Sequence, residues 1–395
     1  YTNTLMVGHP ARPLLTYYEP VNNTLRAAAC ADSLCTSVST SIIGAGGRSH
    51  SAVVGRQGLP WITYCQENPS TGRHAVVITL CSDITCSAAV PPPAYRTSVL
   101  DSDGCSLYTA ITLSAEGLPL ITYYRRGDSD GDGSTWFAAC RNKYCTESVH
   151  HPLRQVGDPA GFINGPYASI GLRAGFPVIS FARRVQDTKG AVPVLGACSD
   201  PLCEQPLTVT SLVGKSLPAH RQNTDARYTA IAIFNSTVSV LFFASVSETA
   251  FISTVNCGLS GHCTLQRVAV VDDRIGPVYG EFPRGGLSPF DGDSPTFPYY
   301  RQVSKSEGVL MLATCLTREC SDVHLERLAV GGCGFGRDAS IAFDSVSGLA
   351  YVTFMDYSAD GSQRAADVAI LRRSTNNSAL YPSGSNNLRK FADIC

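Results

Sequence analysis

An acidic stretch at residues 126–134, RGDSDGDGS, carries the side chains with the most evident chemistry in this sequence. Three aspartates alternate with small residues and are followed by a glycine, as in the first half of a calcium-binding loop. Calcium is therefore the candidate cofactor. Ala139 takes the place of the bidentate glutamate of such a loop, so a solvated acidic turn is the favoured interpretation. The candidate ligands are Asp128, Asp130, Asp132 and Ser134.

The same stretch contains two further motifs. Residues 126–128 spell Arg-Gly-Asp, a short tripeptide that integrins recognise. Residues 129–136 approach the Asp-box of sialidase propellers, with Gly131 where that motif has aspartate. A sialidase would also need grouped arginines and a tyrosine nucleophile, which the sequence alone does not bring together. An exo-glycosidase is nevertheless the enzymatic alternative.

A second group of residues predicts a binding surface. Five similar segments recur along the chain: SHSAVV, SLYTAI, GPYASI, ARYTAI and GRDASI. Tyrosine, the commonest residue at the shared position, offers an apolar ring and a hydroxyl, which suits saccharides and peptide side chains. These positions are candidates for a ligand-binding ring, while packing between neighbouring blades is the favoured interpretation. The members of this candidate ring are His50, Tyr108, Tyr167, Tyr228 and Asp338.

The spacing of the cysteines indicates the repeated units that carry the acidic stretch and the candidate ring residues. Of 16 cysteines, most form six local pairs with four or five residues between the partners. The first cysteines fall at positions 30, 81, 140, 198, 257 and 315, so the step is 51 to 59 residues. A fixed period of this size indicates a repeat architecture. The approximate units are 1–46, 47–103, 104–163, 164–222, 223–273, 274–332 and 333–395.

Each unit contains four predicted β-strands. In the third unit these are SLYTAITL, GLPLITYY, STWFAAC and CTESVH, which are rich in β-branched and aromatic residues and are separated by turn residues. No segment shows the sustained 3.6-residue apolar period of a helix. Four antiparallel strands repeated radially form a propeller blade. The predicted fold is an all-β, seven-bladed β-propeller whose first strands line a central channel.

The local cysteine pairs lie across the predicted hairpin between the third and fourth strands. Facing Cα atoms of an antiparallel pair are ~4.5–5.5 Å apart, which matches disulfide geometry. We predict an outer-hairpin disulfide in six blades, each contributing about 2 kcal/mol. Zinc is the alternative, but its sites favour closer spacing and two further ligands. The predicted bonds are Cys30–Cys35, Cys81–Cys86, Cys140–Cys145, Cys198–Cys203, Cys257–Cys263 and Cys315–Cys320.

Four cysteines remain outside these pairs. Cys65 ends a second strand and Cys105 precedes the first strand of the next unit. These two positions lie on the same face of antiparallel blades, so we predict a bond between neighbouring blades. By elimination, Cys333 would bond to Cys395 beside the seventh blade.

Units of the form GLPLITYYRRGDSDGDGSTWFAACRNKYCTES resemble the degenerate repeats of secreted multi-repeat propeller proteins, in which P-V-I-S-Y-Y precedes an A-x-C and C-T pair. The resemblance covers nearly the whole chain and is weakest in the first and sixth units. It implies the propeller fold and a secreted location more firmly than any activity.

Composition narrows the class of function. The net charge is −1 and the charged fraction is 16%, low against a typical ~25%, so no basic face favours nucleic acid or anionic lipid. The sequence contains no run of about 18 apolar residues, which is the length needed to span a membrane. The cysteine content favours a secreted or cell-surface location. Glycosylation sequons are compatible with it and lie at Asn22, Asn235 and Asn376.

The sequence therefore predicts an extracellular, non-catalytic propeller with a structural or recognition role. The predicted partners are a protein or a glycan, or further copies of the chain in a filament or coat. The sequence does not choose among these partners.

Overall fold

The protein is an all-β, seven-bladed β-propeller in a computed structural model, as predicted. The described residues are 3–8, 12–47, 49–67, 72–87, 95–102, 104–105, 107–125, 133–155, 168–184, 191–214, 226–244, 247–258, 261–273, 286–288, 294–304, 307–332, 337–344, 349–357, 363–373, 380–382 and 388–393. Within these ranges no helix is long and apolar enough to cross a membrane.

The strands β1–β29 form seven antiparallel sheets. Blade 1 contains β1 (Asn3–Gly8), β2 (Arg12–Glu19), β3 (Thr24–Cys30) and β4 (Val38–Ala45). Blade 2 contains β5 (His50–Val54), β6 (Pro60–Glu67), β7 (His74–Cys81) and β8 (Tyr95–Asp101). Blade 3 contains β9 (Leu107–Leu113), β10 (Pro119–Arg125), β11 (Ser134–Cys140) and β12 (Ser148–Pro152). Blade 4 contains β13 (Ser169–Arg173), β14 (Phe176–Arg184), β15 (Ala191–Ala197) and β16 (Thr208–Ser211). Blade 5 contains β17 (Ala226–Phe234), β18 (Thr237–Ala244), β19 (Thr249–Cys257) and β20 (Cys263–Asp272).

The last two blades follow the same order. Blade 6 contains β21 (Gly286–Ser288), β22 (Ser294–Gln302), β23 (Glu307–Cys315) and β24 (Val323–Gly332). Blade 7 contains β25 (Arg337–Asp344), β26 (Leu349–Tyr357), β27 (Gln363–Arg373), β28 (Leu380–Pro382) and β29 (Leu388–Asp393). Blades 1 to 6 are four-stranded meanders in which each strand pairs with the next one along the chain. In blade 7, β27 pairs with both β28 and β29.

The core lies between the faces of neighbouring blades. Second strands are buried along nearly their whole length, because both of their faces pack against sheets; in β10 the pattern PLITY is fully buried. One cluster, for example, joins Trp61 and Ile78 of blade 2 to Ile121 and Tyr123 of blade 3. Alternating apolar side chains on both faces are what such sheet-on-sheet packing requires.

Among the described strands, the ring closes without any exchange of strands between blades. The innermost strands contact one another in the cyclic order β1, β5, β9, β13, β17, β21, β25 and back to β1. At the seam, Leu15 and Tyr17 of blade 1 pack with Leu349 and Tyr351 of blade 7. The backbone N–H of Leu5 also donates a hydrogen bond to Ser340 Oγ over 3.4 Å. Blades 1 and 7 therefore meet through side-chain packing, like the other blades.

Candidate ligand-binding pocket

The six local cysteine pairs form disulfides across the outer hairpins. In five of the six loops the second cysteine has a left-handed backbone, with φ between 48° and 54°. Asp32 shows how the sequence supports this turn: its carboxylate accepts hydrogen bonds from the backbone N–H groups of Leu34 and Thr36, at 2.8 and 3.1 Å. Asp83, Asn142 and Asp200 occupy the equivalent position and accept the same pair of bonds.

Of the two predicted disulfides between distant cysteines, one lies within the described residues and the other lies outside them. Cys65, in β6 of blade 2, is bonded to Cys105, just before β9 of blade 3, with a Cα–Cα distance of 5.4 Å. Cys333 and Cys395 lie outside the described residues, so their bond stays a prediction.

The disulfide hairpins also connect neighbouring blades, which the sequence analysis missed. In blades 1 to 5, one polar side chain of the fourth strand reaches a backbone carbonyl in the disulfide hairpin of the next blade. We call these contacts inter-blade tethers. They are Ser41 to Cys86 (2.6 Å), Ser98 to Tyr144 (3.2 Å), His151 to Cys203 (2.7 Å), Thr210 to Cys263 (2.9 Å) and Arg267 to Ser321 (3.1 Å).

The tether positions are equivalent in register. Each tether residue pairs with the third-strand residue that lies three positions before the first cysteine, as Ser41 pairs with Ala27. In blade 6 the same position is Glu326, which pairs with Leu312. Burial raises the pKa of the Glu326 carboxyl to about 7. A neutral carboxyl there would be a hydrogen-bond donor, like the other tether residues.

Most described members of the predicted binding ring are buried. His50 is fully buried, and its two ring nitrogens lie 2.9 Å from the carbonyl oxygens of Gly47 and Thr16. Asp338 is fully buried and Tyr228 is 6% exposed, whereas Tyr108 is half-buried. Tyr167 lies outside the described residues. This burial favours the packing alternative, and ligand binding by the ring stays a prediction.

Three ring members share an unusual backbone conformation. Tyr108, Tyr228 and Asp338 have φ values of 67°, 52° and 53°, in the left-handed region. Each lies where the pairing register between the first and second strands shifts, as at a β-bulge. A non-glycine residue held in this region costs roughly 1–3 kcal/mol. The bulge therefore re-aims these side chains at the start of the inner strand.

Two repeated acid clusters, also missed from the sequence, join neighbouring blades. The Tyr123 hydroxyl donates a hydrogen bond to the Asp101 carboxylate (3.1 Å), and Arg125 forms an ion pair with the same oxygen (3.5 Å). Between blades 5 and 6 the corresponding residues are Asp272, Tyr299 and Arg301, at 3.0 and 3.4 Å. Burial, together with the adjacent carboxylate, raises the pKa of both tyrosines. These carboxylates are thus held by blade-to-blade contacts.

The acidic stretch and the sequons fall only partly within the described residues. Asp128, Asp130 and Asp132 lie outside them, while the Ser134 hydroxyl accepts a hydrogen bond from the indole N–H of Trp136 at 2.9 Å. No group of three His, Cys, Asp or Glu that could hold a metal is found among the residues that the structure describes. The calcium site stays a prediction.

The sequon asparagines have the accessibility that glycosylation requires where they are described. Asn22 and Asn235 lie in exposed turns, and Asn376 lies outside the described residues. The Asn22 amide donates a hydrogen bond to Glu19 at 3.2 Å. Glycosylation of the three asparagines stays a prediction.

A pocket of about 370 Å³ opens between blades 2 and 3. Its volume lies in the range of roughly 300–1,000 Å³ that is typical of small-molecule sites. It lies where the β5–β6 and β9–β10 turns meet the disulfide hairpins of the two blades. The lining residues are Gly55, Arg56, Gln57, Leu59, Trp61, Leu80, Cys81, Ser82, Glu116, Gly117, Leu118, Lys143 and Tyr144.

The pocket has an apolar floor and a charged rim. Trp61 is 5% exposed and packs in the blade 2–blade 3 core, so it forms part of the floor. Arg56 donates a hydrogen bond to the carbonyl oxygen of Ala115. The Lys143 ammonium lies 4.6 Å from the ring centroid of Tyr144. These contacts place two cations at the mouth of the pocket.

The rim also carries one carboxylate. Hydrogen bonds from Ser114 and from its own backbone amide, with the nearby charge of Arg56, hold the pKa of Glu116 below its usual value. Glu116 is therefore ionised at neutral pH and offers hydrogen-bond acceptors. The rim combines donors and acceptors above an apolar base.

One of the pocket residues is a glycine at a position that carries a long side chain in blade 4. Gly55 and Arg173 occupy equivalent positions in their blades. In both blades, one residue of the first strand pairs with the proline near the start of the second strand, and Gly55 or Arg173 is the next residue along the chain. In blade 4, the buried Arg173 side chain reaches the carbonyl oxygens of Cys257 and Gly258 in blade 5. Gly55 has no side chain to occupy that space. A Cβ atom there would lie 3.3 Å from the Trp61 ring.

The comparisons with known proteins agree with the fold. No protein-family model and no curated protein matches the sequence. A protein of unknown function from Dyadobacter fermentans is similar in structure, with a TM-score of 0.53 and 11% identity, over 82% of this chain and 94% of that chain. An α-L-arabinanase from Penicillium chrysogenum, solved with arabinobiose, has a TM-score of 0.54 and 8% identity, over 94% and 98%. Both likenesses define the class as a β-propeller and do not extend to function.

Proposed function

We propose that this chain is an extracellular, non-catalytic recognition module that binds saccharides in the pocket between blades 2 and 3. The observation that carries the proposal is the pocket itself, with an apolar floor that includes Trp61 and a rim of Arg56, Glu116 and Lys143. The pocket is independent of the central channel, where the described ring residues are mostly buried.

The chemistry of the pocket suits a sugar ring. The C–H face of a pyranose or furanose can rest on an apolar floor, while its hydroxyl groups both donate and accept hydrogen bonds. Arg56 and Lys143 supply donors, and Glu116 supplies acceptors. A volume of about 370 Å³ accommodates one or two sugar residues rather than a long chain.

The extracellular location rests on the disulfides. Seven disulfide bonds are formed among the described cysteines, and such bonds persist in oxidising compartments. A rigid disc with binding loops is also suited to docking a protein partner or further copies of itself in a filament or coat. Those partners and the sialidase-like exo-glycosidase activity remain alternatives.

The two tryptophans of the chain allow a direct test by fluorescence. Trp61 lines the pocket, whereas Trp136 lies in β11 against Arg125, outside the pocket lining. In a Trp136→Phe variant, Trp61 is the only tryptophan. We expect saccharide binding to change its emission in a saturable way, and we expect the binding constant to equal that of the unmodified protein.

A matched substitution separates binding from folding. Trp61→Leu removes the indole from the floor, and leucine is tolerated there because Leu14 and Leu120 occupy the equivalent position in blades 1 and 3. We expect Trp61→Leu to abolish saccharide binding measured by calorimetry and to retain the β-sheet circular dichroism. Binding that survives Trp61→Leu would refute the pocket as the site. Release of reducing sugar from the same oligosaccharides would favour the glycosidase alternative instead.

A further inference from the structure

Resting on the proposed function, we infer that the pocket between blades 2 and 3 selects acidic saccharides, which carry a carboxylate or a sulfate ester. An apolar floor and a mixed rim do not themselves determine the charge of the ligand. It depends on how Arg56, Glu116 and Lys143 are already engaged within the protein.

The single carboxylate of the rim is already well supplied with donors. Glu116 receives hydrogen bonds from Ser114 and from its own backbone amide, and Arg56 lies close enough to lower its pKa. Its negative charge is thus partly compensated before any ligand arrives. Glu116 can still accept one hydroxyl group of a sugar.

The two cations keep donors for a ligand. Arg56 uses Nη2 to bond the carbonyl oxygen of Ala115, and a guanidinium carries five N–H donors in total. The carbon stem of Arg56 passes over Gly117, where a Cβ atom would lie 3.2 Å from Cδ.

Within the described residues, the sequence neighbour Tyr144 provides the contact of Lys143. Its ammonium lies 4.6 Å from the centroid of Tyr144, which is a cation–π contact. The ammonium carries three donors, and the ring occupies one side of it. The formal charge of the rim is therefore two cations against one carboxylate, a net charge of +1.

An anionic group bound at this rim would gain charge-assisted hydrogen bonds, which are roughly twice as strong as neutral ones. Removing one partner of such a bond typically weakens binding by about tenfold or more. A neutral sugar would leave the surplus positive charge without a counter-charge. The pocket should therefore prefer the acidic member of any matched pair of saccharides.

The test uses a uronate disaccharide, its fully methyl-esterified form, and a sulfated disaccharide. The ester keeps the rings and the linkages but removes the charge. We expect the uronate or the sulfated sugar to bind at least about tenfold more tightly than the ester. Tight binding of the uronate alone assigns a carboxylate ligand, and tight binding of the sulfated sugar alone assigns a sulfate ester.

Two substitutions provide the matched comparison. Lys143→Gln should weaken binding of the acidic sugar by about tenfold and leave binding of the ester nearly unchanged. Arg141→Gln removes a positive charge from the same hairpin at an exposed position outside the pocket lining, and should change neither. Raising the salt concentration to about 0.5 M should reduce only the binding of the acidic sugar, since the screening length falls to roughly 4 Å.

The outcomes separate the two proposals. Equal affinity for the uronate, its ester and the sulfated sugar, with all three dependent on Trp61, would overturn the charge preference and leave saccharide binding in place. The same conclusion follows if Arg141→Gln weakens binding as much as Lys143→Gln does. Absence of any Trp61-dependent binding across the three probes would overturn both proposals.

Discussion

The inter-blade tethers make a sharp prediction about what the outer disulfides do. In the tether between blades 1 and 2, the Ser41 hydroxyl donates to the carbonyl oxygen of Cys86 over 2.6 Å. Cys86 has a left-handed φ of 50° and is bonded to Cys81, five positions earlier. We predict that the disulfide holds this carbonyl in place, so the disulfide and the tether should be energetically coupled.

The magnitude follows from two separate contributions. Opening a loop of this length by the double change Cys81→Ser and Cys86→Ser should cost about 2 kcal/mol, from the chain entropy of the unfolded state. Ser41→Ala removes one partly buried hydrogen bond, which is worth about 1 kcal/mol. If the open loop no longer presents the carbonyl, Ser41→Ala should cost close to zero in the background without the disulfide. The expected coupling energy is about 0.5–1 kcal/mol.

The assay is a double-mutant cycle of urea unfolding followed by circular dichroism. Ser39→Ala is the control, since Ser39 is exposed on the same strand, β4. It should change the free energy of unfolding by less than about 0.5 kcal/mol in either background. Equal costs of Ser41→Ala with and without the disulfide would refute the reasoning, because the carbonyl would then be positioned without the sulfur link.

Three further predictions follow from single sites. Burial raises the pKa of Glu326 from 4.5 to about 7, so the folded protein binds more protons than the unfolded chain between these values. Its contribution to stability should be greatest below pH 4.5 and should decline as the pH rises through about 7; Glu326→Gln should lose this pH dependence in urea titrations from pH 4 to 8. Asp272→Ala should destabilise the protein by about 1–3 kcal/mol, because the buried Tyr299 hydroxyl loses its acceptor. The double variant with Tyr299→Phe should be less destabilised than the sum of the single changes, and additivity would count against the contact. Gly47→Ala should lower the thermal midpoint, since Gly47 has φ 97° and its Cβ would lie 2.6 Å from Leu25 Cβ; an unchanged midpoint would contradict the described turn.

The fold was predictable because the repeat encodes it several times. The cysteine period, the second-strand apolar segments and the turn residues each indicate a blade, and the seven copies reinforce one another. The outer disulfides followed from the same period, since paired cysteines on facing strands are within bonding distance. A strong local pattern that is repeated needs no long-range information.

The contacts between blades were not predictable in the same way. The tether residues are serine, threonine, histidine and arginine, so no residue type marks them, and only the strand register shows that Ser41 and His151 are equivalent. The acid clusters join residues more than 20 positions apart, as Asp101 and Tyr123 are. Their partners are known only once the blades are packed.

The pocket was missed for a different physical reason. One of its lining residues is a glycine: Gly55 lies where Arg173 occupies the corresponding position at the joint between blades 4 and 5. A glycine in a turn is ordinarily interpreted as a backbone requirement. That Gly55 lacks the side chain found at the equivalent position is seen only when the two blades are compared in the same register.

The seam between blades 1 and 7 has an evolutionary consequence. Since no described strand of blade 1 or blade 7 pairs with the other blade, the joint at Leu15 and Tyr351 relies on the apolar packing that the other joints also contain. A gene could therefore gain or lose one repeat, or be circularly permuted at any loop between blades, without inventing a special fastening. Propellers with a different number of blades are accessible from this sequence by duplication alone, provided that the wedge angle of each sheet can adjust.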